Sequence, residues 1–71
     1  MNDTAYELII YWDKQDAIYV VEVPELPGCM AHGAKRGEAV ANAEDAIAAW
    51  IETARQDGAA IPKPRGKLIY A

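Results

Sequence analysis

The chain has 71 residues, about half of the ~150 residues that serve as a rough prior for one domain. Hydrophobic residues make up 52% and charged residues 25% of the sequence, which excludes a disordered or fibrous chain. No apolar run approaches the ~20 residues that span a bilayer, the N-terminus lacks signal-peptide character, and the lone Cys29 cannot form a disulfide framework. We therefore predict one soluble, cytoplasmic domain over residues 1–71 that does not contact membranes.

The charge balance argues against nucleic acid as the first partner. Seven Lys and Arg residues oppose eleven Asp and Glu residues, which gives a formal net charge of -4, whereas a protein that neutralises phosphates needs a basic surface. A core of this size rarely supplies more than ~3 to 5 kcal/mol without a disulfide or a metal. We therefore predict a homo-oligomer that does not bind nucleic acid directly.

Two strands are predicted near the N-terminus. Residues 6–12 are aromatic and β-branched, and residues 17–23 resume the same chemistry after the polar connection at residues 13–16. A short polar connection between two such runs predicts an antiparallel hairpin. Period-two alternation places one set of side chains of the first strand on the core side: Tyr6, Leu8, Ile10 and Trp12.

A proline-rich turn separates this hairpin from a third strand. Pro24 and Pro27 lack the amide hydrogen that a central strand needs, and Pro27-Gly28 fits the two middle positions of a type II turn. Residues 29–33 then fit a short strand.

One amphipathic helix is predicted from Glu38 to about Gln56, where apolar residues recur with a period of 3.6. Gly58 is suited to the left-handed residue that ends a helix. Residues 67–70 fit a final short strand. The order β-β-β-α-β predicts an α+β domain with one small, mainly antiparallel sheet and one helix packed on one of its faces.

The pattern also predicts which residues form the core and which bind a partner. We expect a core of Leu8, Ile10, Val40, Ile47, Trp50 and Ile51. A sheet with one helix leaves its other face uncovered, and apolar side chains there indicate a surface for another chain. We expect the partner-binding residues to lie on the first hairpin and the proline turn: Trp12, Asp13, Asp16, Tyr19, Glu22 and Glu25.

No motif indicates catalysis, a metal or a cofactor. Cys29 and His32 have half the ligands of a zinc site, but no second pair follows, and residues three apart on a strand face opposite ways. A two-metal site is a weaker explanation of the nearby carboxylates: turn chemistry explains Asp13 and Asp16, and Glu22 and Glu25 flank an exposed proline turn, where acidic residues are usually solvated. We therefore predict a binding module that is not an enzyme.

Several short segments together resemble the HicB family of antitoxin domains. They are residues 19–24, Leu26-Pro27-Gly28-Cys29, residues 31–33, the Glu38-Ala39 helix start and the Gly58 to Ile61-Pro62-Lys63-Pro64 exit. The resemblance implies a partial RNase H-like fold without nuclease activity. It also implies that the domain binds and blocks a small basic RNase toxin of the HicA type.

The sequence departs from that family in two places. Lys35 stands where a Thr or Ser cap is usual, so the helix start lacks a side-chain acceptor. The sequence also stops at Ala71, without the DNA-binding segment that many members carry. Two alternatives to an antitoxin stay open: an orphan homo-oligomer with a ligand-binding or scaffolding role, and a residual metal-dependent nuclease.

Overall fold

The computed structural model describes residues 5–66, and its element order confirms the predicted α+β class. Three strands, β1 (Ile9–Asp13), β2 (Ile18–Glu22) and β3 (Met30–Gly33), precede one helix, α1 (Arg36–Gln56). The predicted final strand at residues 67–70 lies outside the described residues. The RNase H-like likeness stays a prediction.

The sheet is antiparallel and has the order β1-β2-β3. Tyr11 pairs with Val20, and Val20 pairs in turn with His32. The β1–β2 connection is held locally, since the Asp13 carboxylate accepts hydrogen bonds from the amides of Gln15 and Asp16. The predicted hairpin is therefore confirmed.

The proline turn also has its predicted geometry. Gly28 has a φ of 78°, which suits the third residue of a type II turn, and the Cys29 amide donates to the Leu26 carbonyl at 2.9 Å. The Val23 amide donates to the Cys29 carbonyl at 3.0 Å. The turn thereby passes the chain directly from β2 into β3.

Helix α1 begins at Arg36, two residues before the predicted start. Lys35 is its N-cap and makes no side-chain cap bond. The Glu38 carboxylate instead accepts a hydrogen bond from the Ala34 amide at 2.7 Å, one residue before the amide that a capping box would use. At the other end Gly58 has a φ of 69°, as predicted for the residue that follows a helix.

The helix lies over β3 and β2. A Cβ atom at Gly33 would be 2.5 Å from the Ala39 backbone nitrogen, so the first turn of α1 rests directly on β3. Ala39, Ala43 and Val21 form a fully buried cluster between helix and sheet. Small side chains thus set the close approach of the two layers.

The second half of α1 covers a larger cluster around the proline turn. Its buried members are Tyr6, Val23, Leu26, Cys29, Ile47 and Ile51. Of the predicted core residues, Ile47 and Ile51 are buried, while Leu8, Val40 and Trp50 are half-buried.

The prediction for Ile10 is wrong. Its side chain is 40% exposed, whereas its Cα partner Val21, on the same side of the sheet, is fully buried. The reason is the position of the helix, which covers β2 and β3 and leaves β1 outside its contact area. Alternation correctly assigned the face of Ile10 but not its burial.

An exit segment (residues 59–66) follows the helix and returns to the start of the sheet. The Tyr6 hydroxyl donates to the Pro62 carbonyl. The Glu25 carboxylate accepts from the Arg65 amide at 2.9 Å and from the Glu7 amide at 3.3 Å. One side chain therefore joins the proline turn, the residues before β1 and the exit segment.

Candidate interaction surface

Strand β1 exposes four consecutive large apolar residues. Ile9, Ile10, Tyr11 and Trp12 are 37%, 40%, 41% and 48% exposed. Within residues 5–66 no strand pairs with the outer edge of β1. An apolar edge of this kind is typical of a surface that another polypeptide covers.

The side of the sheet opposite α1, here called the open face, carries the other half of each strand. The register places eight side chains on it: Ile9, Tyr11, Asp13, Ile18, Val20, Glu22, Met30 and His32. Met30 is 52% exposed. No element in the described part of the chain packs against this face, so it offers a flat patch with an apolar centre.

A tyrosine–carboxylate pair stands on the open face. The Tyr11 hydroxyl donates to the Glu22 carboxylate at 2.9 Å. This hydrogen bond, and to a smaller extent desolvation and the charges of Glu22 and Asp13, raises the pKa of Tyr11 above its ordinary value. The pair fixes two side chains that would otherwise be free to rotate.

An aromatic pair lies on the other side of the hairpin. The rings of Trp12 and Tyr19 meet edge to face with centroids 4.9 Å apart, and the Arg36 guanidinium lies 4.9 Å from the Tyr19 centroid. Such stacking is favourable for both an aromatic ring and a cation. Arg36 therefore ties the helix start to the hairpin.

The six predicted partner-binding residues do not form one surface. Asp13 and Glu22 face the open side and Asp16 lies in the exposed hairpin connection, whereas Trp12 and Tyr19 point to the helix side. The Glu25 carboxylate is occupied by two backbone amides. Its role in the structure is to hold the exit segment.

Cys29, immediately before β3, and His32 within it lie on opposite faces of the sheet, as alternation requires. Cys29 is a buried free thiol, and burial raises its pKa. His32 is exposed on the open face. Among residues 5–66 no group of three or more His, Cys, Asp or Glu side chains is arranged to hold a metal ion.

Sequence reasoning missed a groove at the opposite edge of the sheet. This edge groove has a volume of about 500 Å³ and runs between β3 and the second half of α1. It is lined by Gly28, Cys29, Met30, Ala46, Ala49, Trp50, Thr53, Ala54, Asp57 and Ala59. The Trp50 indole donates to the Pro27 carbonyl at 2.9 Å and fixes one end. Ala46 and Ala49, which line the groove, indicate only a good helix former in the sequence.

These features define a small α+β domain with exposed apolar surfaces. Residues 6–68 match the family described as HicB-like antitoxin of bacterial toxin-antitoxin systems. The chain belongs to this family. The match covers almost the whole sequence, and the resemblance predicted from the short segments is thereby confirmed.

Two individual relatives match most of this chain, but the match spans nearly all of one relative and only part of the other. The UPF0150 protein Ta0767 of Thermoplasma acidophilum is 41% identical over 64 residues, covering 90% of this chain and 91% of the relative. An uncharacterized 14.9 kDa protein of Haemophilus phage HP1 is 44% identical over 51 residues, covering 72% of this chain but 38% of the phage protein. No solved structure matches the chain. No helix among the described residues is long and apolar enough to cross a membrane.

Proposed function

We propose that this protein is an antitoxin that neutralises a small basic RNase toxin of the HicA type by binding it directly. Family membership supports the antitoxin role. The observation that carries direct binding is the open face, where exposed Ile9, Tyr11 and Met30 surround a fixed carboxylate at Glu22. The protein acts by occlusion and has no catalytic role of its own.

The charges on the hairpin set how the toxin approaches. Asp16 is exposed in the β1–β2 connection, and the whole chain has a net charge of -4. Exposed charges act mostly on the association rate, while apolar contacts set the lifetime of a complex. The hairpin carboxylates therefore steer the encounter, and the apolar centre of the open face holds the bound toxin.

The test uses the purified product of the adjacent gene, where that gene encodes a short, basic protein. Asp16→Lys should slow association several-fold at low salt and leave the dissociation rate nearly constant. Glu44→Lys makes the same charge change at an exposed position on the helix and is the matched control. Stopped-flow mixing measures both rates. Failure of the wild-type chain to bind this neighbour would refute the antitoxin proposal.

A second candidate role is self-association without a toxin. The observation that favours it is β1, whose four exposed apolar residues lie beside an edge that no described strand covers. We propose that copies of the chain associate through β1. A sedimentation-equilibrium mass of one chain at micromolar concentration would rule this out.

A further inference from the structure

We infer that the edge groove between β3 and α1 binds an extended, basic segment of the partner protein, which pairs with β3 as an added strand. This inference rests on the proposed function, since the partner is the toxin. The groove would contact the toxin at a place that the hairpin does not reach. Within residues 5–66 the sheet is three strands wide, so a protein seated across the open face reaches from β1 to β3.

On the outer edge of β3, among the described residues, only the Met30 end offers both an unused backbone donor and an unused acceptor. In an antiparallel pair the residues alternate between bonding to the neighbour and pointing away from it. Cys29 bonds to β2 through Val23, so Met30 and His32 direct their amides and carbonyls to the outer edge. The Asn42 side chain already donates to the His32 carbonyl at 2.8 Å. Met30 is left with a free donor and a free acceptor.

The groove supplies space for alternate side chains of an added strand. Successive side chains of a strand point to opposite faces. On the helix side they would enter the apolar cleft beside Ala46 and Ala49, whose small side chains admit a bulky residue. On the open face they would meet Met30, which is 52% exposed. Strand addition of this kind takes affinity from main-chain hydrogen bonds and specificity from such pockets.

The charges around the edge groove favour a basic segment over an acidic one. Asp57 lines the groove, and none of the lining residues is basic. Asp45 lies one helical turn before Ala49, on the outer rim, whereas the Glu52 carboxylate one turn after it is already paired with Arg55 at 3.3 Å. A segment that carries Lys or Arg at its solvent-facing positions is therefore attracted by the rim. An acidic segment would be repelled.

The experiment measures the affinity of the basic neighbour protein for two variants and a matched control. Ala49→Lys places a long cationic side chain at the groove and should weaken binding about tenfold or more. Ala48→Lys makes the same change on the same helix at an exposed residue that does not line the groove. It should bind like wild type. Thermal melting of both variants checks that they fold.

The second variant, Met30→Pro, removes the outward amide while sparing the bonds between β3 and β2, because proline is tolerated where the amide faces away from the sheet. It should also weaken binding about tenfold. In the wild-type complex, exchange of the Met30 amide hydrogen should slow by a similar factor. The amide of Lys14, in the exposed hairpin connection, should not change.

The possible results separate this inference from the proposed function. If the wild-type chain does not bind the basic neighbour protein, the groove inference and the antitoxin proposal are both wrong. If it binds and Ala49→Lys binds equally well, the groove inference is overturned and the antitoxin proposal stands. If Ala49→Lys instead lowers the sedimentation mass and leaves toxin affinity intact, a second copy occupies the groove, and the inference of a basic partner segment is wrong.

Discussion

Strands β1 and β2 have similar hydrophobic sequences but very different burial. Ile10 and Val21 are Cα partners on the same side of the sheet, yet Ile10 is 40% exposed and Val21 is fully buried. The difference comes from the helix, which lies over β2 and β3. Hydropathy determines which residues can be buried, and the placement of the covering layer determines which of them are.

The largest expected effect separates the two regions directly. Ile47→Ala removes a side chain that is 1% exposed and should cost about 2 to 5 kcal/mol, which is comparable with the whole stability of a domain this small. Ile10→Ala makes the same chemical change on β1 and should cost about 1 kcal/mol or less, because the side chain is already half in water.

Urea unfolding of the two variants measures both losses. Equal losses would mean that β1 is covered in solution as well as β2. A loss for Ile10→Ala that depends on protein concentration would indicate that a second copy provides the cover.

A smaller effect tests how closely the helix rests on β3. Gly33→Ala brings a Cβ atom to 2.5 Å from the Ala39 backbone nitrogen, so the helix start must move. We expect a loss of about 1 to 3 kcal/mol, the usual range for overpacking. Gly37→Ala meets nothing within 4 Å and should stabilise the helix by up to about 1 kcal/mol. A melting temperature that does not fall for Gly33→Ala would contradict this contact.

The smallest effect concerns the open face and appears only at high pH. The pKa of Tyr11 is raised, chiefly because its hydroxyl donates to the Glu22 carboxylate. The stabilisation from this bond is therefore complete below the ordinary pKa of tyrosine, near pH ~10. It is lost as the pH rises through the raised value in the folded state.

Absorbance near 295 nm, compared between wild type and Tyr11→Phe, isolates the titration of this group. Glu22→Gln should lower the pKa of Tyr11, because the charge that opposes its ionisation is gone. A Tyr11 pKa that does not respond to Glu22→Gln would show that the pair is not formed in solution.

Local features of the fold were predictable from the sequence because they depend on neighbouring residues. Pro27-Gly28 and Gly58 have the backbone geometry that their residue types favour, and the 3.6-residue stripe located the helix to within two residues of its start. β2 and β3 also lie within the predicted ranges, whereas β1 begins three residues later than predicted and ends one residue beyond, at Asp13.

Features that depend on distant residues were not predictable. Alternation gave the face of Ile10, but no local pattern states where a helix that begins at Arg36 will lie. Glu25 looked like a solvated surface carboxylate, since its partner Arg65 is 40 residues away. The edge groove was missed for the same reason: Ala46 and Ala49 read only as good helix formers until β3 is placed beside them.

The exit segment has a consequence for the order of folding. Its contacts join residues that are 56 apart, Tyr6 with Pro62, and 40 apart, Glu25 with Arg65, whereas Tyr11 and Glu22 in the hairpin are 11 apart. Contacts between distant residues carry a larger loop-closure entropy and form late. The hairpin should therefore form early, and docking of residues 59–66 should be the last step to complete and the first to reverse. Transient opening of this segment would expose Tyr6 and the part of the core cluster beside it long before the sheet unfolds.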